Sequence, residues 1–243
     1  RFRLPALLPF PDRSLLLVQS RGGGENRGIE LIQSAMLRML TAMPPGKVRF
    51  TIIDPVGQGE NFSAVMHHTD NQEQLVTSRI WTDPTHIEQR LTDLAEHMEN
   101  VIQVYLRNEF ETIQEYNDFA GEMAEPYRVL VVANFPAGFT QTAAHKLKSI
   151  VTSGARCGVF TLLTADGSRS KSSMVKPADL APHALRLTWR NGRFVAEHPS
   201  YGLMPLVFDD PPDTDRFTEV VRSVGSRIQD VGRVEVPFES VVP

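Results

Sequence analysis

A single cysteine, Cys157, in 243 residues excludes an intrachain disulfide and a cysteine-built zinc site. It also makes a reducing, cytoplasmic compartment the default expectation. An excess of positive charge is lacking as well. With 25 Lys and Arg against 29 Asp and Glu, the formal net charge is -4, so this segment has no basic excess for gripping a nucleic-acid backbone. No apolar run approaches the ~18 residues of a membrane span, and no membrane contact is expected of this segment. The opening "RFRLPALLPFPDRS" is too short and too proline-broken for a signal sequence. Internal repeats and low-complexity tracts are absent. A start at Arg1 and an extended, proline-flanked end, "VEVPFESVVP", predict a piece of a longer polypeptide.

The chain does have strands alternating with helices. Leu15 to Gln19 is a continuous apolar run suited to a strand buried on both faces. After it, Ile29, Ile32, Ala35, Met36, Met39, Leu40 and Met43 recur at three- and four-residue spacing and predict a helix, ended by "MPPGK". "VRFTIID" (Val48 to Asp54) reads as a second strand and Leu75 to Trp81 as a third. Next, Ile87, Leu91, Leu94, Met98, Val101, Ile102 and Tyr105 mark a long helix for which Thr85 is the expected cap. "YRVLVVANF" and "CGVFTLLTAD" are two more buried strands, with a helix through "TAAHKLKSIVTSGA" between them. Beyond Gly167 the pattern changes. A polar loop leads to "LRLTWRNGRFVAEH", where Asn191-Gly192 between alternating runs signals a hairpin, and this tail is expected to be antiparallel. A last helix carries Phe217, Val220, Val221 and Val224 on its apolar side. The expected architecture is α/β: a mostly parallel sheet with helices on both faces, plus a C-terminal antiparallel hairpin and helix. Residues 1-13 form a lead-in, 14-208 the domain, and 209-243 a C-terminal helix and linker.

"SLLLVQSRGGGENRGIELIQSAML" has the strand, glycine loop, helix layout of a phosphate-binding loop. Gly22, Gly23 and Gly24 permit the positive φ and close approach such a turn uses. Lysine is missing: the first in the chain is Lys47, beyond the helix, and no Ser or Thr stands where a magnesium ligand is needed. Arg21 and Arg27 leave two readings, a tight glycine turn with exposed arginines, which is the expected one, and residual weak phosphate binding. The second element, a pair of carboxylates ending a buried strand to polarise water, is missing too, since "RVLVV" is followed by Ala133, Asn134 and Phe135. Losing lysine and acids together removes charge compensation and water activation at once. No catalytic residue and no metal ligand set follows from these residues. His67 and His68, being adjacent, are expected to point apart, so one of them with Asp70 finds no third ligand at useful spacing. Arg169, Lys171 and Lys176 read as a solvated loop rather than a phosphate-contacting one. Cys157 reads as packing, and Glu96, Glu99, Glu109 and Glu111 as a wet helix face and its exit.

Five blocks, "SLLLVQSRGGGENRGIELIQSAMLRML", "TIIDPVGQGENF", "MENVIQVYLRNEFETIQEYN", "RVLVVANFPAGF" and "LKSIVTSGARCGVFTLLTAD", resemble the FtsK/SpoIIIE family of DNA-translocating P-loop ATPases in order and spacing. The resemblance implies a RecA-like P-loop fold. It places the phosphate loop on Gly22, Gly23 and Gly24, with the lysine position near Asn26 or Arg27. The acidic pair falls on Ala133 and Asn134, and the polar sensor residue on Asp166. Asp54-Pro55 with Gly57 to Glu60, and Tyr116-Asn117, match further family signatures. The resemblance also implies ATP and magnesium as the family's cofactors, though none is expected to be required here. Implied partners are neighbouring ATPase modules of one parent chain, a ring, and DNA through the assembly. The parent of such a module can be membrane-associated. Arg156 and Arg128 are the candidate arginines for a neighbour's phosphate, and Arg156, in "SGARCG", matches the stretch just before the sensor strand where such arginines are found in related motors. Three functions stay open: a non-hydrolysing module of a larger DNA or protein translocase, an ATPase module with an unusual site using Arg27, and an interaction scaffold without a motor.

Overall fold

A computed structural model describes residues 13-20, 22-66, 79-107, 109-166, 175-198 and 202-232. Strands β1 (Leu15–Ser20), β2 (Val48–Ile53), β3 (Ile80–Trp81), β4 (Tyr127–Phe135), β5 (Val159–Asp166), β6 (Ala184–Arg190), β7 (Arg193–His198) and β8 (Gly202–Pro205) form one sheet, ordered β3-β2-β4-β5-β1-β6-β7-β8. The first six of that order run parallel. β7 and β8 then add antiparallel. The expected hairpin is present, with Asn191 at φ 51° and Gly192 at φ 76° making its two-residue turn. The tail differs from expectation in one respect. Its first strand, β6, lies parallel to β1, because it fills the position on the other side of β1 from β5 before the chain reverses. The edge strand β8 has no sequence signal, since "GLMP" is too short to show alternation.

Helices α1 (Glu25–Ala42), α2 (Pro84–Asn100), α3 (Ile113–Ala120), α4 (Gln141–Ser153), α5 (Pro177–Leu180) and α6 (Thr214–Gly232) cover the two faces. On one face Ile32, Met36 and Leu40 of α1 and Phe217 and Val221 of α6 bury Leu16, Val18, Phe50, Ile52 and Val131. On the other, Ile87, Leu91 and Leu94 of α2 and Leu147 and Ile150 of α4 bury Leu15, Leu17, Ile53, Leu130 and Val132. Alternate residues of a strand thus feed different cores, which is why the runs are apolar throughout. Truncating any of these fully enclosed Leu or Ile side chains to Ala costs about 2–5 kcal/mol.

The α2 cap is Asp83, not Thr85. Its carboxylate accepts the backbone N–H groups of Thr85 and His86 at 2.9 and 3.4 Å, and Pro84, which has no N–H to satisfy, takes the first helical position. α2 continues as a π-helix over Val101–Leu106. Cys157 is buried, donates to Met98 O at 3.6 Å, and burial pushes its thiol pKa up, so it serves packing. Glu96, Glu99, Glu109 and Glu111 are exposed. Asn117 brackets Glu125, donating to its carbonyl at 2.9 Å and accepting its N–H at 2.8 Å, which fixes the approach to β4. Among the described residues no helix is long and apolar enough to cross a membrane.

Candidate functional site

A parallel sheet gathers the C-terminal ends of its strands, and the loops that leave them, along one edge. Here that edge carries the glycine loop after β1, Asp54 after β2, Asn134 at the end of β4 and Asp166 at the end of β5. β5 stands between β1 and β4, so the glycine loop and Asn134 flank one strand end. The structure therefore brings together the four regions singled out in the sequence.

Gly22 and Gly23 adopt φ 65° and 100°, and open space surrounds the position of a side chain at either. Gly24 is the N-cap of α1, at φ -96°. The turn's backbone N–H groups stand at the positive end of a long helix, a position that favours an anion as a backbone nest does. One of them is taken by this chain's own carboxylate: Gly23 N donates to Glu25 Oε2 at 2.9 Å. Gly24 is needed for a second reason. A Cβ there would lie 2.4 Å from Trp189 Cγ, because the β6 indole rests directly on the loop. Trp189 is itself held edge-on to Phe194, ring centroids 4.9 Å apart.

Arg27 turns away from the loop. Its guanidinium pairs with Glu30 and, at 2.7 Å, with Asp210, and lies 4.7 Å from the Phe208 ring centroid. The hydrogen bond to Asp210 raises its pKa further. Arg27 is thereby part of the contact that lays residues 208–210 on α1, together with the Arg38–Asp209 pair and the Ser34 hydroxyl, which donates to Asp209 O at 2.9 Å. Asn26, one helical position earlier, is exposed.

At the end of β4, Ala133 is fully buried and Asn134 takes a left-handed φ of 59°. Between Val132 and Phe135 the β4·β5 register shifts, so the strand bulges at these two residues. Asn134 N donates to Thr164 Oγ1 at 2.7 Å, which pins the bulge to β5. Neither residue has an ionisable group. Asp166 ends β5 in register with Ser20. Asp54 is the buried acid of this edge. One of its oxygens accepts from Gly57 N at 3.0 Å and Asn61 Nδ2 at 3.1 Å, while Oδ2 is enclosed without a partner. It organises the 54–61 loop.

Arg156 lies at the opposite edge, before β5, exposed, with Nε donating to Glu111 O at 2.7 Å. Arg128, the second residue of β4, stands at that same edge, its side chain 26% exposed and paired with Glu125 at 3.3 Å. Lys176 precedes α5 and is exposed. Arg21, His67, His68, Asp70, Arg169 and Lys171, most of the strand expected from Leu75, the lead-in to Asp12 and the end from Arg233 lie outside the described residues. Two participants escaped sequence reasoning. Glu25 carried a usable signal, an acid in the first helical turn just after the glycines. Trp189 carried none, since only the sheet order brings it to the loop.

No family model and no curated protein matches this chain. Solved structures do. EssC (ATPases 2 and 3) from Geobacillus thermodenitrificans superposes with TM-score 0.64 at 16% identity, over 91% of this chain and 45% of that one. The conjugation coupling protein TcpA of pCW3, solved with ATPγS, gives 0.63 at 11% identity over 91% and 66%. The cytoplasmic domain of the type VII secretion ATPase EccC from Thermomonospora curvata gives 0.62 at 15% over 94% and 29%. This chain thus spans less than half the length of the EssC and EccC chains it matches. What it shares with them is the fold, that of a RecA-like ATPase domain.

Proposed function

We propose that this chain is a non-hydrolysing, FtsK/SpoIIIE-type ATPase-like module, a structural or regulatory part of a larger ATP-driven translocase of DNA or protein. The observation that carries the reading is the glycine loop: it stands at the positive end of α1, yet Gly23 N–H is bonded to Glu25 and no lysine accompanies it. A triphosphate placed there meets a carboxylate where a cation is needed, and like charges at contact distance repel. Ala133 and Asn134 add no acid to orient a metal-bound water. The residues present do not fit a magnesium–nucleotide complex, and no hydrolytic step is derived from them. The relatives in fold are a secretion ATPase and a conjugation coupling protein, which supports a place beside other modules.

In such an assembly the module's contribution is a surface. Arg156 is the candidate that reaches a neighbour's phosphate, since it is exposed and, among the described residues, anchored through Nε alone. The decisive assay is phosphate release by the pure chain, together with binding of a fluorescent ATP analogue. No release above blank and no saturable binding are expected. Steady turnover that Arg27→Ala abolishes would refute the reading and establish an ATPase with an unusual site.

A further inference from the structure

The edge opposite the glycine loop holds a cluster of cationic side chains that the proposed function does not use. Arg49 on β2 and Arg128 on β4 are register partners, so both project from the same face of the sheet, the one covered by α2. His97, in the last turn of α2, faces them. Each of the three has a ring or guanidinium nitrogen that is fully enclosed and unbonded: Arg49 Nε, Arg128 Nε and His97 Nε2. Enclosed donors without acceptors lose the water they bonded when unfolded and gain nothing in return, and native structures contain few. Three in one cluster point to a missing acceptor.

Among the described residues a single acid answers them. Glu125, 17% exposed on its side chain, takes Arg128 at 3.3 Å on Oε1 and the Tyr105 hydroxyl at 3.3 Å on Oε2. Among the described residues no acceptor bonds the Arg49 guanidinium. Burial and the two adjacent guanidinium groups push His97 down to about 4, so its ring is neutral and its inward nitrogen can carry the proton as a donor. Two cations against one carboxylate leave a single positive charge. Arg49, His97, Tyr105, Glu125 and Arg128 are each half-buried, so every one of these side chains keeps part of its surface in water while the unbonded nitrogens lie inside. Tyr105 reaches it from the π-helix that extends α2, a distortion frequent at functional sites.

We propose that Arg49, Arg128 and His97 form a binding pocket for one carboxylate group, with Tyr105 and Glu125 as its rim. Guanidinium pairs suit planar oxyanions through paired N–H donors. A monoanion balances the site, whereas a dianionic phosphate overfills it. The carboxylate comes either from a small free acid or from an Asp or Glu side chain of a docked protein. The inference is independent of the nucleotide reading, because it concerns the other edge of the sheet.

The test follows the Arg Nε–H resonances of the pure chain by NMR at constant ionic strength. Acetate, inorganic phosphate, chloride and a blocked Glu-containing tripeptide are titrated separately. Saturable shifts of Arg49 and Arg128 with acetate, absent with chloride and lost in Arg49→Met, are expected. Peptide binding ten times tighter than acetate assigns the source to a partner's side chain; equal binding assigns it to a free acid. Glu125→Gln removes the competing charge and should tighten acetate by about tenfold. It keeps the idea testable should Arg49→Met fold poorly. Unsaturable shifts, phosphate binding tighter than acetate, or unchanged affinity in Glu125→Gln each overturn the proposal.

Discussion

Gly24→Ala probes the contact that closes the glycine loop from the β6 side. The backbone there, φ -96° and ψ 2°, is open to alanine, so strain in the chain is not the issue. The added methyl would stand 2.4, 2.6 and 2.8 Å from Cγ, Cδ2 and Cδ1 of Trp189, distances no relaxed Cβ tolerates. The indole must move, and its edge-on contact with Phe194 opposes that movement. Overpacking of this kind costs about 1–3 kcal/mol, and exchanging glycine for alanine at an N-cap adds up to about 1 kcal/mol. A loss near 2 kcal/mol lowers Tm by about 4–8 °C in a domain of this size. The discriminating measurement is a double-mutant cycle by urea denaturation. Trp189→Ala removes the obstacle, so Gly24→Ala made in that background should cost only the cap difference, about 1 kcal/mol or less. Equal costs in the two backgrounds would show that the indole does not rest on the loop, and the reasoning fails.

Four further outcomes are expected. His97 falls from 6.5 unfolded to about 4 folded, so its neutral burial gives stability fully present above pH 6.5 and lost as pH falls through 4. At ~1.4 kcal/mol per pH unit the whole shift is worth about 3 kcal/mol, which solvent screening of a half-buried ring reduces to about 1–2 kcal/mol; comparing denaturation of wild type and His97→Gln at pH 7.5 and 4.5 isolates it, and parallel pH dependence in the two refutes it. Ser14→Ala deletes the hydroxyl donated to Val151 O at 2.7 Å inside the core and leaves that carbonyl unpaired, costing about 1–3 kcal/mol by urea titration. Cys157, buried with a raised pKa, should react with a thiol reagent at pH 8 at least a hundredfold slower when native than in denaturant; a native rate near the unfolded one contradicts its enclosure. In the full-length protein, Arg156→Ala should change ATP turnover tenfold or more in either direction while moving Tm by no more than about 2 °C, because an exposed arginine that makes one hydrogen bond among the described residues does little for stability; unchanged turnover favours a scaffold.

The elements that were legible in the sequence are those whose signal is local. "LLLVQ" and "VRFTII" are apolar because both faces of their strands are covered, and the three- and four-residue spacing along α1 exists because one side of it meets the sheet. Asn191-Gly192 announced its hairpin because only a few residues accept positive φ there. Asp83 and Thr85 compete as caps in the sequence because both lie before the same apolar run, and the proline between them decides the matter: a residue at N1 or N2 cannot be the cap. The candidate site divides along the same line. Its glycines, its missing lysine and its missing acids are properties of contiguous stretches, so they could be read directly. Trp189 against Gly24, Arg27 drawn to Asp210, and Arg49 beside Arg128 join residues up to 183 positions apart, and each depends on strand order. The Arg49–Arg128 pair shows why this matters for function. Each arginine alone stands near the start of a strand and looks like a solvated end, whereas parallel register sets both on the face covered by α2, where Glu125 is the one acid that answers them among the described residues, and the unbalanced charge appears only once the sheet has been assembled.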